Sequence, residues 1–188
     1  MNFYKALNNQ VFNLKTFSLV PIRYQDRYDI MRWRNEQIYH LRQNKPLSKE
    51  EQDSYFVNII NPTFNEKEPK QVLFSFLEKN VCIGYGGLVH INWKDSRAEI
   101  SFLINTSLEQ NSFNFLWDNY LKLIEIVAFE ELKLHKIYTY AFDLRPNLYE
   151  VLEINNYCKE AILKEHTFFN GKFINVVIHS KMNNSLER

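Results

Sequence analysis

Apolar and polar positions change period several times along the chain, and each change marks an element. Phe17-Ser-Leu-Val-Pro-Ile-Arg23 reads as a short strand whose Pro21 suits a sheet edge. From Gln25 to about Leu41, Ile30, Trp33, Ile38 and Leu41 recur near helical spacing among charged residues, which predicts a first helix. Ser48-Lys-Glu-Glu51 has the spacing of a capping box. Tyr55, Phe56, Ile59 and Ile60 follow it as one apolar stripe, so a second helix is predicted, ending at Asn61-Pro62. Thr63 to Lys70 is polar, carries Pro69 and reads as a surface connection.

Period two then takes over. Val72, Phe74 and Phe76 alternate, as do Val81, Ile83, Tyr85, Val89 and Ile91, predicting adjacent strands. After a polar turn from Asn92 to Arg97, Ala98 to Asn105 reads as a further strand with Glu99, Ser101 and Leu103 on one face. Leu116, Tyr120, Leu123, Ile124, Val127, Ala128 and Leu132 keep three/four spacing through the longest helix. Lys136 to Phe142 is a tyrosine-rich strand, Pro146 can open a helix that Asn155-Asn156 closes, and Asn170-Gly171 suits a two-residue hairpin turn. The predicted order is strand, two helices, three strands, helix, strand, helix, hairpin.

Composition narrows the functional classes. A chain of 188 residues that is 45% hydrophobic supports one domain with a sizeable core. The domain is expected over residues 17–182, with 1–16 as an N-terminal extension and 183–188 as a tail. Lysine and arginine number 23 against 22 acids, so no overall field recruits nucleic acid or an anionic membrane. The start lacks a charged segment followed by an apolar one, and no apolar run approaches about 20 residues; a cytoplasmic protein is expected. Cys82 and Cys158 lack metal-ligand or redox spacing, so neither a metal nor a cysteine nucleophile is expected. Gly84, Gly86 and Gly87 do not lie on a strand-to-helix phosphate loop and instead read as permitting a bulge or close backbone approach within a sheet.

The element order, together with Ile83-Gly-Tyr-Gly-Gly87, Ala98-Glu-Ile-Ser-Phe102 and Ala128-Phe-Glu-Glu-Leu-Lys-Leu-His-Lys136, resembles the GNAT superfamily of N-acetyltransferases. Trp33-Arg-Asn35, the Ser48 helix start and Lys164 to Lys172 look closer to its amino-sugar-nucleotide branch, as in pseudaminic acid synthesis, than to the ribosomal-protein enzymes. The resemblance implies an α/β fold: a mostly antiparallel twisted sheet of six or seven strands, helices on both faces and one splayed strand pair. It implies acetyl-CoA as acyl donor and direct transfer to a primary amine, with a small-molecule acceptor, an amino-sugar nucleotide preferred over a peptide N-terminus. The protein is expected as a monomer or homodimer.

Carried over residue by residue, the resemblance puts Phe102, Leu103 and Ile104 on the strand that pairs with the pantetheine arm. The family's Arg/Gln-x-x-Gly-x-Gly/Ala loop, which holds the pyrophosphate by backbone N–H groups, falls on Ser112, Phe115 and Trp117, or in a second register on Gln110, Phe113 and Phe115, with Asn114 between. Neither register has a glycine. A GNAT-like binding protein without turnover, its groove filled by these aromatics, is therefore the alternative from another class, and an enzyme that uses a different acyl thioester or grips the phosphate through lysine or arginine side chains is a third reading. Arg145 and Asn147 fall around the family's cofactor-touching asparagine, with helix capping as the alternative.

Amine acetylation needs a group to take up a proton and one to protonate the thiolate. Glu99 is the candidate base, against a solvent-exposed glutamate paired with Arg97 or Lys94. His90, beside the same turn, suits the acceptor site or is a polar surface residue. The family's thiolate-protonating tyrosine aligns with Leu152; Tyr149, a turn earlier, is the candidate substitute. Arg34 and Asn35, at the end of the first helix, are candidates for binding the acceptor, against a helix-end ion pair.

Overall fold

The computed structural model describes residues 2–184. In chain order the elements are β1 (Phe12–Leu14), β2 (Phe17–Pro21), α1 (Arg27–Glu36), α2 (Lys49–Tyr55), α3 (Asn61–Thr63), β3 (Val72–Glu78), β4 (Val81–Asn92), β5 (Arg97–Ile104), α4 (Thr106–Glu125), β6 (Lys136–Phe142), α5 (Pro146–Ile154), β7 (Cys158–Phe169) and β8 (Lys172–Met182). Among the described residues, eight strands form one sheet in the order β1-β2-β3-β4-β5-β6-β8-β7. Neighbours run antiparallel except β5 and β6, which are parallel.

Local chemistry explains most boundaries. Ser48 and Glu51 form the reciprocal capping box that starts α2. A π-turn over Phe56–Ile60 carries the chain into α3, so Pro62 sits in a first helical turn and does not end the helix as expected. Pro146 opens α5 where its missing N–H costs nothing. Asn170 and Gly171 both take positive φ, 47° and 79°, in the turn between β7 and β8.

Two expectations need correction. Of the expected extension, residues 2–16 are described and do not simply extend from the domain: Tyr4, Leu7 and Phe12 are buried in its core, β1 pairs with β2, and the Tyr4 hydroxyl bridges Leu73 N and O at 2.9 Å each. This segment adds the eighth strand. Of the expected tail, Asn183 is buried, and residues 185–188 lie outside the described residues. The second correction concerns α4, which starts at Thr106 because the Asn105 side chain caps it by accepting from Ser107 N at 3.1 Å. Gln110 to Trp117 are therefore inside a helix, and the loop expected there is not formed.

The sheet positions the site in two ways. β5 pairs with β6 only over Arg97↔Lys136, Ala98↔Ile137 and Glu99↔Tyr138, so from Ile100 onward the two strands separate. Helices cover opposite faces beside that opening. The Tyr85 hydroxyl meets Arg34 of α1, while a Cβ on the next residue, Gly86, would lie 2.2 Å from Ser101 O and 2.6 Å from the Tyr120 hydroxyl of α4. Only glycine allows this close packing of α4 and β5 against β4, which is the close approach expected of the glycine run.

Candidate functional site

Glu99 stands at the apex of the opening, the last β5 residue paired with β6. It is 4% exposed and ion-paired with Arg42, not with Arg97 or Lys94; Arg97 instead approaches Asp95 at 3.7 Å. Burial pushes the Glu99 carboxyl above its ordinary range, and Arg42 opposes that shift. His90 Nε2 lies 3.9 Å from Glu99 on an exposed side chain, and His90 holds a φ of 50° where β4 and β5 lose register.

The separated strands enclose a narrow groove of about 110 Å³. Phe102 lines it, stacked on Tyr120 with centroids 3.6 Å apart, whereas Leu103 and Ile104 are buried. Thr139 and Trp117 also line it, and Thr139 Oγ1 and Trp117 Nε1 are buried without a hydrogen-bond partner. Orphaned buried polar atoms are costly, so their place in the groove suits a ligand carrying amide or carbonyl groups. A pantetheine arm fits that description, with the unpaired edge of β5 from Ile100 onward beside it.

The groove opens into a wider cavity of about 820 Å³, lined among others by Ser112, Phe113, Asn114, Phe115 and Asn147. Helical amides bond back to carbonyls four residues earlier, so the backbone from Gln110 onward has no N–H free for phosphate. A backbone grip on a pyrophosphate does not fit here. Arg145 lies where groove and cavity meet. Its Nη2 donates to Glu109 Oε1 at 2.5 Å, its Nη1 faces His40 Nδ1 at 3.3 Å, and the guanidinium sits 4.8 Å over the Phe113 ring. Burial and Arg145 hold His40 down to about 3, so its ring is neutral and accepts from Arg145. Gln37, buried, ties this cluster together by donating to Ile104 O at 2.7 Å and Thr106 Oγ1 at 3.1 Å, with its Oε1 3.3 Å from His40 Nε2.

On the other face a cleft of about 510 Å³ shares Leu41, Arg42 and Ser101 with the groove, and also presents Arg34, Lys70 and His90. It continues past Arg34, Tyr55 and Tyr85 into a mostly apolar chamber of about 320 Å³ whose lining also carries Glu51 and Gln52. Arg34 donates to Gln43 Oε1 at 3.0 Å and the Tyr85 hydroxyl at 2.6 Å, and among the described residues has no carboxylate partner. Asn35 instead braces the segment before α2: its Nδ2 donates to Leu47 O at 2.9 Å, and its Oδ1 accepts from Leu47 N and Gln43. Tyr149 faces away from the groove, with its hydroxyl donating to Asp143 at 3.0 Å and its ring stacked on His179 at 5.3 Å. Leu148, one residue earlier, lines the groove.

Glu99, Arg34, His90, Phe102 and Asn147 thus line or border connected spaces, while Asn35, Leu103, Ile104 and Tyr149 support the frame. Arg42, Lys70, Thr139 and Glu109 carried no sequence signal, because elements distant in the chain bring them to the site, and Trp117 entered only as a position of the expected phosphate loop.

Residues 19–178 match the acetyltransferase (GNAT) domain family. Among solved structures, spermidine N-acetyltransferase from Vibrio cholerae, in complex with CoA and spermine, is similar with a TM-score of 0.77 and 20% identity over 90% of this chain and 97% of that one. A probable acetyltransferase is similar with a TM-score of 0.74 and 16% identity over 94% of this chain and 98% of that one. At these identities the likeness is one of fold. The family match over most of the sequence, with the β5/β6 splay it accompanies, places this chain in the GNAT acetyltransferase family.

Proposed function

We propose that this protein transfers acetyl from acetyl-CoA directly to the primary amine of an anionic small molecule, with an amino-sugar nucleotide as the favoured class. The observation that carries the acceptor class is the cleft beside Glu99, which presents Arg34 and Lys70 together with Arg42, the partner of Glu99, and among the described residues has no carboxylate in its lining. Spermidine and spermine, named with the Vibrio cholerae enzyme, are cations that such a lining disfavours. A diphosphate suits guanidinium forks, and the apolar chamber past Tyr55 and Tyr85 suits a planar ring.

Acetyl-CoA supplies the acetyl group as an activated thioester. The amine enters from the cleft and the thioester from the groove, and these spaces meet at Leu41, Arg42 and Ser101. As the new nitrogen–carbon bond forms and the carbon–sulfur bond breaks, the proton lost by nitrogen passes to Glu99 through water, and the thiolate takes a proton from solvent. Arg42 holds the Glu99 carboxylate in place.

Thiol release from acetyl-CoA, measured over a panel of amines, tests this reading. Amino-sugar nucleotides are expected to outrun the same sugars without the diphosphate, and both to outrun spermidine and peptides. A preference for spermidine, or equal rates with and without the diphosphate, overturns the acceptor assignment.

A further inference from the structure

The cavity at the mouth of the groove has an unusual balance of charge. Its lining offers the polar side chains of Ser112, Asn114 and Asn147 but a single cation, Arg145, and that cation is neutralised by Glu109. The two side chains are only 14% and 17% exposed, so their attraction is weakly screened. From Gln110 onward the helical course of α4 removes the backbone amides as anion donors. His40 is neutral and does not compete for an anion.

Resting on acetyl-CoA as donor, we propose that Arg145 is the group that binds the diphosphate of CoA, and that Glu109 occupies it until the diphosphate takes its place. Arg145 meets Glu109 through Nη2 alone, with Nη1 on His40, so a phosphate oxygen can replace the Glu109 carboxylate at Nη2 without moving Arg145. Phe113 beneath the guanidinium, His40 beside it and Gln37 behind His40 keep the fork aimed at the cavity during the exchange.

This assignment makes the two partners of one ion pair act with opposite sign. Calorimetric titration of the full chain with CoA is expected to show Arg145→Gln weakening the dissociation constant by about tenfold or more. Glu109→Gln is expected to tighten it by about threefold to fivefold, because the competing carboxylate is gone. Melting temperature falls in both variants, since both lose the pair. With pantetheine, which lacks the diphosphate, the two variants are expected to bind alike. If the pair is only a structural tie, both substitutions change CoA affinity in the same direction or not at all, and the proposal fails while CoA binding by the unmodified protein still supports the donor assignment. If neither the unmodified protein nor Glu109→Gln binds CoA, both readings fall. Arg145→Lys guards against misfolding: it keeps the charge and is expected to bind CoA between the unmodified protein and Arg145→Gln, so affinity no better than Arg145→Gln in a folded variant counts against the assignment.

Discussion

Arg34 and Arg145 lie in separate spaces that both connect with the groove beside Glu99, the proposed reaction centre, and they differ in one respect. Arg34 projects from α1 into a cleft whose lining has no carboxylate, and its hydrogen bonds go to the neutral groups of Gln43 and Tyr85. Arg145, before α5, meets Glu109 at 2.5 Å. A partly buried guanidinium without an acid leaves a local field that an anion can fill; one with an acid must exchange partners first. The contrast assigns the acceptor's charge to an open site and the donor's charge to a guarded one.

The largest expected effect falls between the two arginines. Glu99→Gln should lower turnover by about a hundredfold or more while leaving CoA affinity unchanged, as rates and calorimetry on the same preparation can show. Its raised carboxyl also fixes the sign of the pH dependence: turnover rises with pH as Glu99 ionises, and that limb is lost in Glu99→Gln. Arg34→Gln should raise KM for an anionic acceptor by about tenfold or more without altering CoA binding; an equal loss toward neutral amines removes the distinction between the arginines.

A smaller effect sharpens the donor side. Thr139→Val replaces an unpartnered buried hydroxyl on β6 with a methyl group, so the melting temperature should hold or rise while CoA binding weakens by about threefold. A drop in stability with unchanged CoA affinity would show that the hydroxyl serves the fold. A separate effect, on stability and not on turnover, concerns His40. Its folded value is depressed to about 3 from 6.5, so the unfolded chain takes up a proton first as pH falls, and stability is lost from about 6.5 downward. His40→Gln should flatten that slope in pH-dependent melts.

The strands and helices were legible because their apolar periods are long and change sharply, as at Val72 to Phe76 and along Leu116 to Leu132. β1 was not, since three residues carry no readable alternation and Tyr4 and Leu7 gain meaning only against the β3 strand and its neighbours. The start of α4 was not legible, because Asn105 reads as the end of the strand before it and the resemblance puts a phosphate loop within Gln110 to Trp117; the cap shows only where Asn105 accepts from Ser107 N. Glu99 was recognisable as an acid inside an apolar strand. Its partner Arg42 lies 57 positions away, and Arg145 lies 36 from Glu109, separations that no local spacing encodes.

Calorimetric titration of the unmodified protein with acetyl-CoA tests the central claim most directly. Saturable one-to-one binding, with a melting temperature that climbs as acetyl-CoA is added, is the predicted result. Absence of both heat and thermal stabilisation at millimolar acetyl-CoA would contradict the account and leave the GNAT fold serving a purpose other than acetyl transfer.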